Sequence, residues 1–281
     1  MIPKGKYDLD NPSTVSMLDE LSLWSAPFGM KLLDSISYKK SVRALDIGSG
    51  LGFPLVELSM RLGASSKVYG IDPWRTGIER AKRKLEIARI SNVDIVEGRS
   101  ESMPFENDFF DLIVSNNGLN NVQNLHQTLL ECNRVAKVEA EFAFTFNTED
   151  SFSEFYKVFR LVVSENGLGE LNKKISDHIY SKRKPVSEFE HELKATGFDV
   201  KSIWRDSFNY HFSDGTSFFN HFFIKLAFLD SWLQIVPADK RVFVFGLIEE
   251  HINRIAARQN GFTTKVPFVM MSCVKKKHVT C

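Results

Sequence analysis

Val42-Arg43-Ala44-Leu45-Asp46-Ile47-Gly48-Ser49-Gly50-Leu51-Gly52-Phe53 is the stretch that decides the fold. A short apolar run closes on an acid and opens into a glycine-rich turn, after which Pro54-Leu55-Val56-Glu57-Leu58 resumes at helical spacing. That order predicts a first strand, a tight loop and a helix. Gly48, Gly50 and Gly52 let the main chain turn sharply and leave room for a ligand against the backbone. Pro54 suits the first helical turn, where a missing N–H costs nothing. A bound group is therefore expected to meet free backbone donors at the helix start.

The details of the loop narrow the ligand. A dinucleotide-binding turn wants glycine or alanine at its third conserved place. Counting from Gly48, that place is Phe53, whose ring would crowd a pyrophosphate. Asp46, just ahead of the first glycine, would repel a diphosphate and suits a cation. A positively charged cofactor is favoured over NAD or ATP.

In these features the stretch resembles motif I of the class I S-adenosylmethionine-dependent methyltransferases. Lys67-Val68-Tyr69-Gly70-Ile71-Asp72-Pro73-Trp74 resembles the second strand of that family, ending in the acid that holds both ribose hydroxyls. An acid about 20 residues or somewhat more beyond the loop is where a ribose contact belongs in a Rossmann-like fold. Gly98-Arg99-Ser100-Glu101-Ser102-Met103-Pro104-Phe105 resembles the adenine-side loop, and Phe109 to Asn116 the fourth strand, which opens toward substrate. The four segments follow one another in family order across residues 40–150, and the closest likeness is to the methyltransferase type 11, ubiquinone/menaquinone branch.

Composition agrees with an ordinary folded chain. With 281 residues, 43% hydrophobic and 25% charged, there is enough material for a substantial core. A formal charge of +1 argues against a broad nucleic-acid footprint, which shows as a basic excess. The basic residues Arg80, Lys82, Arg83 and Lys84 are mixed with Glu79 and Glu86 and read as a solvated helix face. Cys132, Cys273 and Cys281 are too few for a disulfide framework, and no metal-ligand spacing is present, so no metal is expected. Met1 to Lys6 lacks an apolar leader, and no stretch approaches the ~20 apolar residues that span a bilayer. A cytoplasmic protein without a membrane span is expected.

Along the chain the expected fold is α/β: a Rossmann-like, doubly wound, mostly parallel sheet of seven strands with the last antiparallel. Residues 1–40 read as an N-terminal helical cap, with Trp24 to Gly29 as a turn inside it. Residues 41–206 and 263–281 read as the methyltransferase domain. Between them, 207–262 reads as a helical insertion forming a substrate-side cap. Helices are expected at Arg75 to Arg89, Val122 to Val135, Ser151 to Val163 (opened by a Ser151–Glu154 capping box), Pro185 to Thr196 and Asp239 to Gln259. The fifth strand is expected at Ala140 to Asn147, preceded by a turn at Lys137-Val138-Glu139 where the family often has Pro-Gly-Gly. Phe198 to Phe208 and Lys265 to Val274 complete the sheet.

The resemblance implies S-adenosylmethionine as cofactor and S-adenosylhomocysteine as product, and assigns roles residue by residue. Gly48, Ser49 and Gly50 would border the methionine tail, and Asp46 would orient the loop and the tail's ammonium. Asp72 would accept from the ribose hydroxyls with Trp74 packed nearby, and Ser100 and Glu101 would line the adenine edge. Arg99 departs from the family, which commonly has an acid there; arginine cannot accept a hydrogen bond, so adenine recognition falls to Glu101 or backbone. Asn116 is expected beside the cofactor. Trp24, Asn117 and Asn120 are expected on the substrate side, where asparagine orients without titrating.

For a hydroxyl acceptor, His221 is the candidate base, with Tyr210 beside it. The chain's 24 phenylalanines are dense in the insertion. Core packing is the default for them, with a cap over an apolar or aromatic small-molecule acceptor, or a homodimer face, as alternatives. Three rival functions stand beside this reading: a nicotinamide-dependent oxidoreductase, disfavoured by Asp46 and Phe53; a non-catalytic S-adenosylmethionine-binding or interaction protein; and a nucleic-acid methyltransferase, disfavoured by the charge and by the absence of an Asn-Pro-Pro-Tyr type motif after Asn116.

Overall fold

The computed structural model describes residues 7–21 and 23–276; Met1 to Lys6 and Cys281, both read above, lie outside them. Seven strands form one sheet: β1 (Arg43–Ile47), β2 (Lys67–Asp72), β3 (Val93–Glu97), β4 (Phe110–Asn116), β5 (Ala136–Asn147), β6 (Phe198–Phe212) and β7 (Phe262–Lys275). Their order is β3-β2-β1-β4-β5-β7-β6. β1 pairs in parallel with β2 and β4, β2 with β3 and β4 with β5, whereas β7 runs antiparallel to β5. This is the Rossmann-like seven-stranded sheet expected from the sequence.

The helices ahead of β5 are α1 (Pro12–Leu21), α2 (Ser25–Ser35), α3 (Leu55–Leu62), α4 (Arg75–Ile87) and α5 (Leu125–Val135). After it come α6 (Ser153–Glu165), α7 (Leu171–Lys182), α8 (Val186–Ala195), α9 (Gly215–Asn220), α10 (Phe222–Ile224), α11 (Asp230–Ile235) and α12 (Arg241–Gln259). A π-turn at Lys225–Leu229 joins α10 to α11.

The chain divides into two compact units. The larger comprises 9–147, 185–206 and the described part of 268–281; the smaller comprises the described part of 1–8, 148–184 and 207–267.

In the larger unit, alternation along β1 sets both layers of the core. Ala44 faces a cluster with Leu32 and Leu33 of α2 and Leu55, Leu58 and Leu62 of α3. Leu45 and Ile47 face the opposite cluster, with Leu129, Cys132 and Val135 of α5 and Phe189 and Leu193 of α8. By the same period Asp46 falls on the α2/α3 side, at the C-terminal end of the strand. Helices cover both faces, as near-continuously apolar parallel strands require.

Two local expectations are corrected here. Trp24 to Gly29 does not form a turn: α2 begins at Ser25 with Pro27 in its first turn, where proline is tolerated. Gly29 serves close packing, since a Cβ there would lie 2.2 Å from the Phe53 ring and 3.0 Å from Asn116 Nδ2. Lys137-Val138-Glu139 is not a turn before β5 but part of it. The irregularity is absorbed by a register shift against Phe110 and Leu112 and by a positive φ of 64° at Glu139.

The smaller unit is built on aromatic packing. Trp232 is fully buried, stacks on Phe155 at 4.0 Å between centroids and donates from Nε1 to Tyr156 Oη at 2.9 Å. Phe152, Phe159, Phe218 and Phe245 are buried with it, so these phenylalanines are core. The Ser151–Glu154 capping box does not form. Phe152 is the N-cap, in the left-handed region, and Glu154 instead accepts from Lys265 N at 3.0 Å and Thr264 Oγ1 at 3.2 Å. A reciprocal capping box does open α9, where Asp214 accepts from Ser217 N at 2.6 Å and Ser217 Oγ from Asp214 N at 3.1 Å.

Candidate functional site

In the larger unit the strand order reverses direction at β1, so the sheet's topological switch point falls at the loops after β1 and β4. The glycine loop there is tied to β2. Gly48 N and Ser49 N both donate to Ile71 O, at 2.9 and 3.3 Å, and Gly52 N donates to Ser49 O at 2.7 Å. Gly50 N donates to Asp72 Oδ2 at 2.8 Å. These four amides, all ahead of the helix start, already have acceptors within the chain. Positive φ values of 75°, 45° and 94° at Gly48, Gly50 and Gly52 are what make this winding possible.

Gly118, in the loop after β4, reaches the same place. A Cβ on it would lie 2.7 Å from Ile47 O and 2.7 Å from Ser115 Oγ, and one on Gly48 would lie 3.1 Å from Gly118 Cα. Two bare backbones thus cross at the end of β1. Sequence reasoning passed over Gly118; the signal was a glycine set among asparagines just beyond a strand.

The two acids sit differently. Asp72 is nearly buried at the end of β2, with Oδ1 accepting from Trp74 N at 2.7 Å and Oδ2 from Gly50 N. Burial raises its carboxyl above the usual range, and the two amides pull it back. The carboxylate therefore braces the loop, and each oxygen keeps a second lone pair for another donor. Trp74 precedes α4, donates from Nε1 to Leu9 O at 3.1 Å and lies against Gly77, where a Cβ would be 2.6 Å from its ring.

Asp46 is wholly enclosed, and neither carboxylate oxygen has a hydrogen-bond partner. Burial pushes its carboxyl well above the usual range and the Asp72 carboxylate adds to this. The Leu55 amide, at the N-terminus of α3, acts the other way without reaching hydrogen-bonding geometry. Ser49 Oγ is also buried and unpartnered. Such groups are costly when nothing pairs with them. The loop therefore holds two acceptor side chains short of a donor.

The remaining expected residues are brought to the same edge but are largely committed. Asn116, at the end of β4, donates from Nδ2 to Ser25 O and accepts at Oδ1 from Thr145 Oγ1, both at 3.0 Å. Asn117 Oδ1 accepts from Asn120 Nδ2 at 3.0 Å and Asn147 N at 3.1 Å, and Asn120 Nδ2 also donates to Asn147 Oδ1 at 2.6 Å. Asn120 Oδ1 alone is buried without a partner. Thr145 and Asn147, at the end of β5, were not singled out from the sequence. Nothing in a strand-ending Thr-Phe-Asn marks it beforehand.

On the third-strand side, Ser100 Oγ shares a hydrogen bond with Thr128 Oγ1 at 3.3 Å. Glu101 Oε1 accepts from Gln123 N at 2.7 Å and Asn124 N at 3.2 Å, so one of its oxygens holds the entry to α5. The N-terminal segment is fixed to α4: Asp19 accepts from Arg80 Nε at 2.8 Å and from Lys84 Nζ, and Lys84 Nζ also donates to Leu51 O at 2.8 Å. Trp24 meets Phe28 edge-on at 5.4 Å.

His221 and Tyr210 belong to the smaller unit. Their rings are 5.6 Å apart, and His221 Nδ1 and Tyr210 Oη are both buried without a partner. Burial lowers the imidazole's pKa and pushes the Tyr210 phenol up to about 12, so both are neutral near pH 7. Among the described residues no group of three or more His, Cys, Asp or Glu is placed to hold a metal. Cys132 and Cys273 are buried free thiols.

Residues 45–144 match the family model described as a methyltransferase domain, and the sheet order with an antiparallel β7 is that of the Rossmann-like, class I methyltransferase fold. The chain resembles demethylmenaquinone methyltransferase of Staphylococcus aureus (strain MRSA252), 31% identical over 132 residues, which are 47% of this chain and 52% of that protein. The same-named protein of Bacillus mycoides (strain KBAB4) is 30% identical over 132 residues, 47% of this chain and 53% of that one. The chain thus spans about half the length of the curated relatives it matches. Among solved structures, the YcgJ protein of Bacillus subtilis superposes with TM-score 0.58 at 18% identity, over 90% of this chain and 99% of that one. A SAM-dependent methyltransferase of Aquifex aeolicus gives 0.51 at 22% identity, over 70% and 92%. Geranyl diphosphate C-methyltransferase of Streptomyces coelicolor A3(2) gives 0.54 at 13% identity, over 98% and 88%. At such identities the likeness is one of fold. Among the described residues no helix is long and apolar enough to cross a membrane.

Proposed function

We propose that the protein is an S-adenosylmethionine-dependent methyltransferase acting on a small apolar or aromatic acceptor. The observation that carries this is the pair of carboxylates at the glycine loop. Asp72 braces Gly50 and Trp74 while keeping lone pairs for a diol, and Asp46 lies enclosed one strand away with no donor. Two acids at a loop whose amides are already occupied suit a cationic, hydroxyl-bearing ligand and repel a phosphate. They disfavour a nicotinamide oxidoreductase for the same reason.

S-adenosylmethionine would supply a methyl group already activated on sulfonium, which leaves alignment and exclusion of water to the protein. Asp72 would hold the ribose, the backbone at Gly48 to Gly50 would border the amino-acid tail, and Asp46 with Ser49 would orient the tail's ammonium, directly or through water. Ser100 and the remaining oxygen of Glu101 would meet the adenine edge. Asn116, Asn117 and Asn120 would orient the acceptor, with Trp24 beside it. His221 and Tyr210, the pair expected for a hydroxyl acceptor, belong to the smaller unit, and no step is routed through them here. The relatives named for demethylmenaquinone support a quinone-like acceptor for this chain too.

Transfer of labelled methyl from S-adenosylmethionine to extractable small molecules is the test. The parent chain should label an apolar product and Asp72→Ala should not. Tight binding of S-adenosylhomocysteine with no product from any quinol, phenol or lipid fraction would replace the enzyme by a cofactor-binding protein.

A further inference from the structure

Arg183 follows α7 in the smaller unit, and its side chain is 3% exposed. Its Nε and Nη1 have no hydrogen-bond partner, and no carboxylate of the described residues is paired with it. Its company is aromatic: the guanidinium carbon lies 5.9 Å from the Phe152 ring centroid and 5.8 Å from that of Phe228. Those two rings meet edge-on at 4.9 Å, and Phe228 also stacks on Trp232 at 5.6 Å. Cation–π contact offsets only part of the cost of enclosing an unpaired ion. Arginine cannot escape by losing its proton. His178, one turn back on α7, is driven down to about 4, first by burial and then by Arg183 and Lys182, so the charges acting on it are positive. No group that would balance Arg183 is found among the described residues.

We propose that Arg183 anchors a binding site in the smaller unit for a small carboxylic acid with an apolar or aromatic body. The carboxylate pairs with the guanidinium, and the body lies against the half-buried Phe228, with Phe152 enclosed behind it. One enclosed cation calls for one negative charge, which a carboxylate carries and a phosphate dianion exceeds. The aromatic walls call for an apolar body rather than a sugar or a free inorganic ion. The site stands whether or not the larger unit transfers methyl groups.

The test is calorimetric titration of the full-length chain with benzoate, 3-phenylpropionate and hexanoate, each beside its neutral primary amide. At least one acid should bind tenfold or more tightly than its amide. Arg183→Met should abolish that preference and still bind S-adenosylhomocysteine as the parent does. Without ligand, Arg183→Met should melt no earlier than the parent, because it removes an uncompensated charge. No acid preferred over its amide, a preference that survives Arg183→Met, or competition by chloride alone as strong as by the acids would each overturn the proposal. Failure of Arg183→Met to fold, or a fall in its melting temperature, would also overturn it by making Arg183 a structural residue.

Discussion

Asp46→Asn should make the ligand-free protein more stable and its cofactor binding worse. The parent holds a carboxyl with no exposure, no hydrogen-bond partner and the Asp72 carboxylate nearby, so the charged form is penalised in the fold. The unfolded chain releases this proton near its ordinary pKa of about 3.9, while the folded chain holds it to higher pH. The folded state therefore binds more protons across that interval, and stability falls by up to about 1.4 kcal/mol per pH unit as pH rises from the unfolded value to the folded one. Above the folded value the penalty is constant. Asparagine keeps the shape and removes the titration, at the cost of an amide that must find partners itself. A net gain of about 1–3 kcal/mol at pH 8 is expected, shrinking toward zero near pH 4. In a domain of this size that is a rise of roughly 2–4 °C in melting temperature per kcal/mol. Scanning fluorimetry of both proteins from pH 4 to pH 8, with and without S-adenosylhomocysteine, measures it. A destabilised Asp46→Asn at pH 8, or a gain that does not depend on pH, would refute the reasoning, because the carboxylate would then be paired and charged in the fold.

The remaining predictions concern the groups around this loop. Gly118→Ala places a methyl 2.7 Å from Ile47 O and Ser115 Oγ, so it should destabilise the larger unit by about 1–3 kcal/mol and weaken S-adenosylhomocysteine binding in a titration. Asn120→Ala removes the donor shared by Asn117 and Asn147 and should raise KM for the acceptor while leaving cofactor affinity within about threefold, as steady-state kinetics would show. Asp19→Asn breaks the pairing with Arg80 and Lys84, two cations half-shielded from solvent; a loss of about 1–2 kcal/mol is expected, with faster hydrogen exchange over α1.

How much of this was legible beforehand depended on how local the cause was. The strand and loop from Arg43 to Gly52 could be read directly because an apolar run, an acid and three glycines leave few conformations open. Asp72 was legible by its distance from the loop, but its brace on Gly50 N was not, since a hydrogen bond between two loops leaves no trace in spacing. The same holds for Glu101, which reads as a free acceptor and has one oxygen, Oε1, held by Gln123 N and Asn124 N. Trp24 to Gly29 misled because Ser, Pro and Gly are turn residues, yet here Pro27 starts α2 and Gly29 answers the Phe53 ring. The helix α7 was missed because only Leu171 and Ile175 of its residues are buried, too sparse for a period to show. Ser151 and Glu154 matched a capping pattern that lost to a long-range partner: Glu154 found the Lys265 amide, 111 positions away. Asn147 and Thr145 enter the site only through the pairing of β5 with β4, which is a tertiary fact.

The most direct measurement is calorimetric titration of the purified chain with S-adenosylhomocysteine and, separately, with NADH, repeated on Asp72→Asn. One site for S-adenosylhomocysteine, no heat with NADH, and at least a tenfold loss in Asp72→Asn are expected, the loss coming from a carboxylate that holds both the loop and the ribose. Binding of NADH in preference, or S-adenosylhomocysteine bound equally well by Asp72→Asn, would contradict the assignment of this loop to an adenosyl cation.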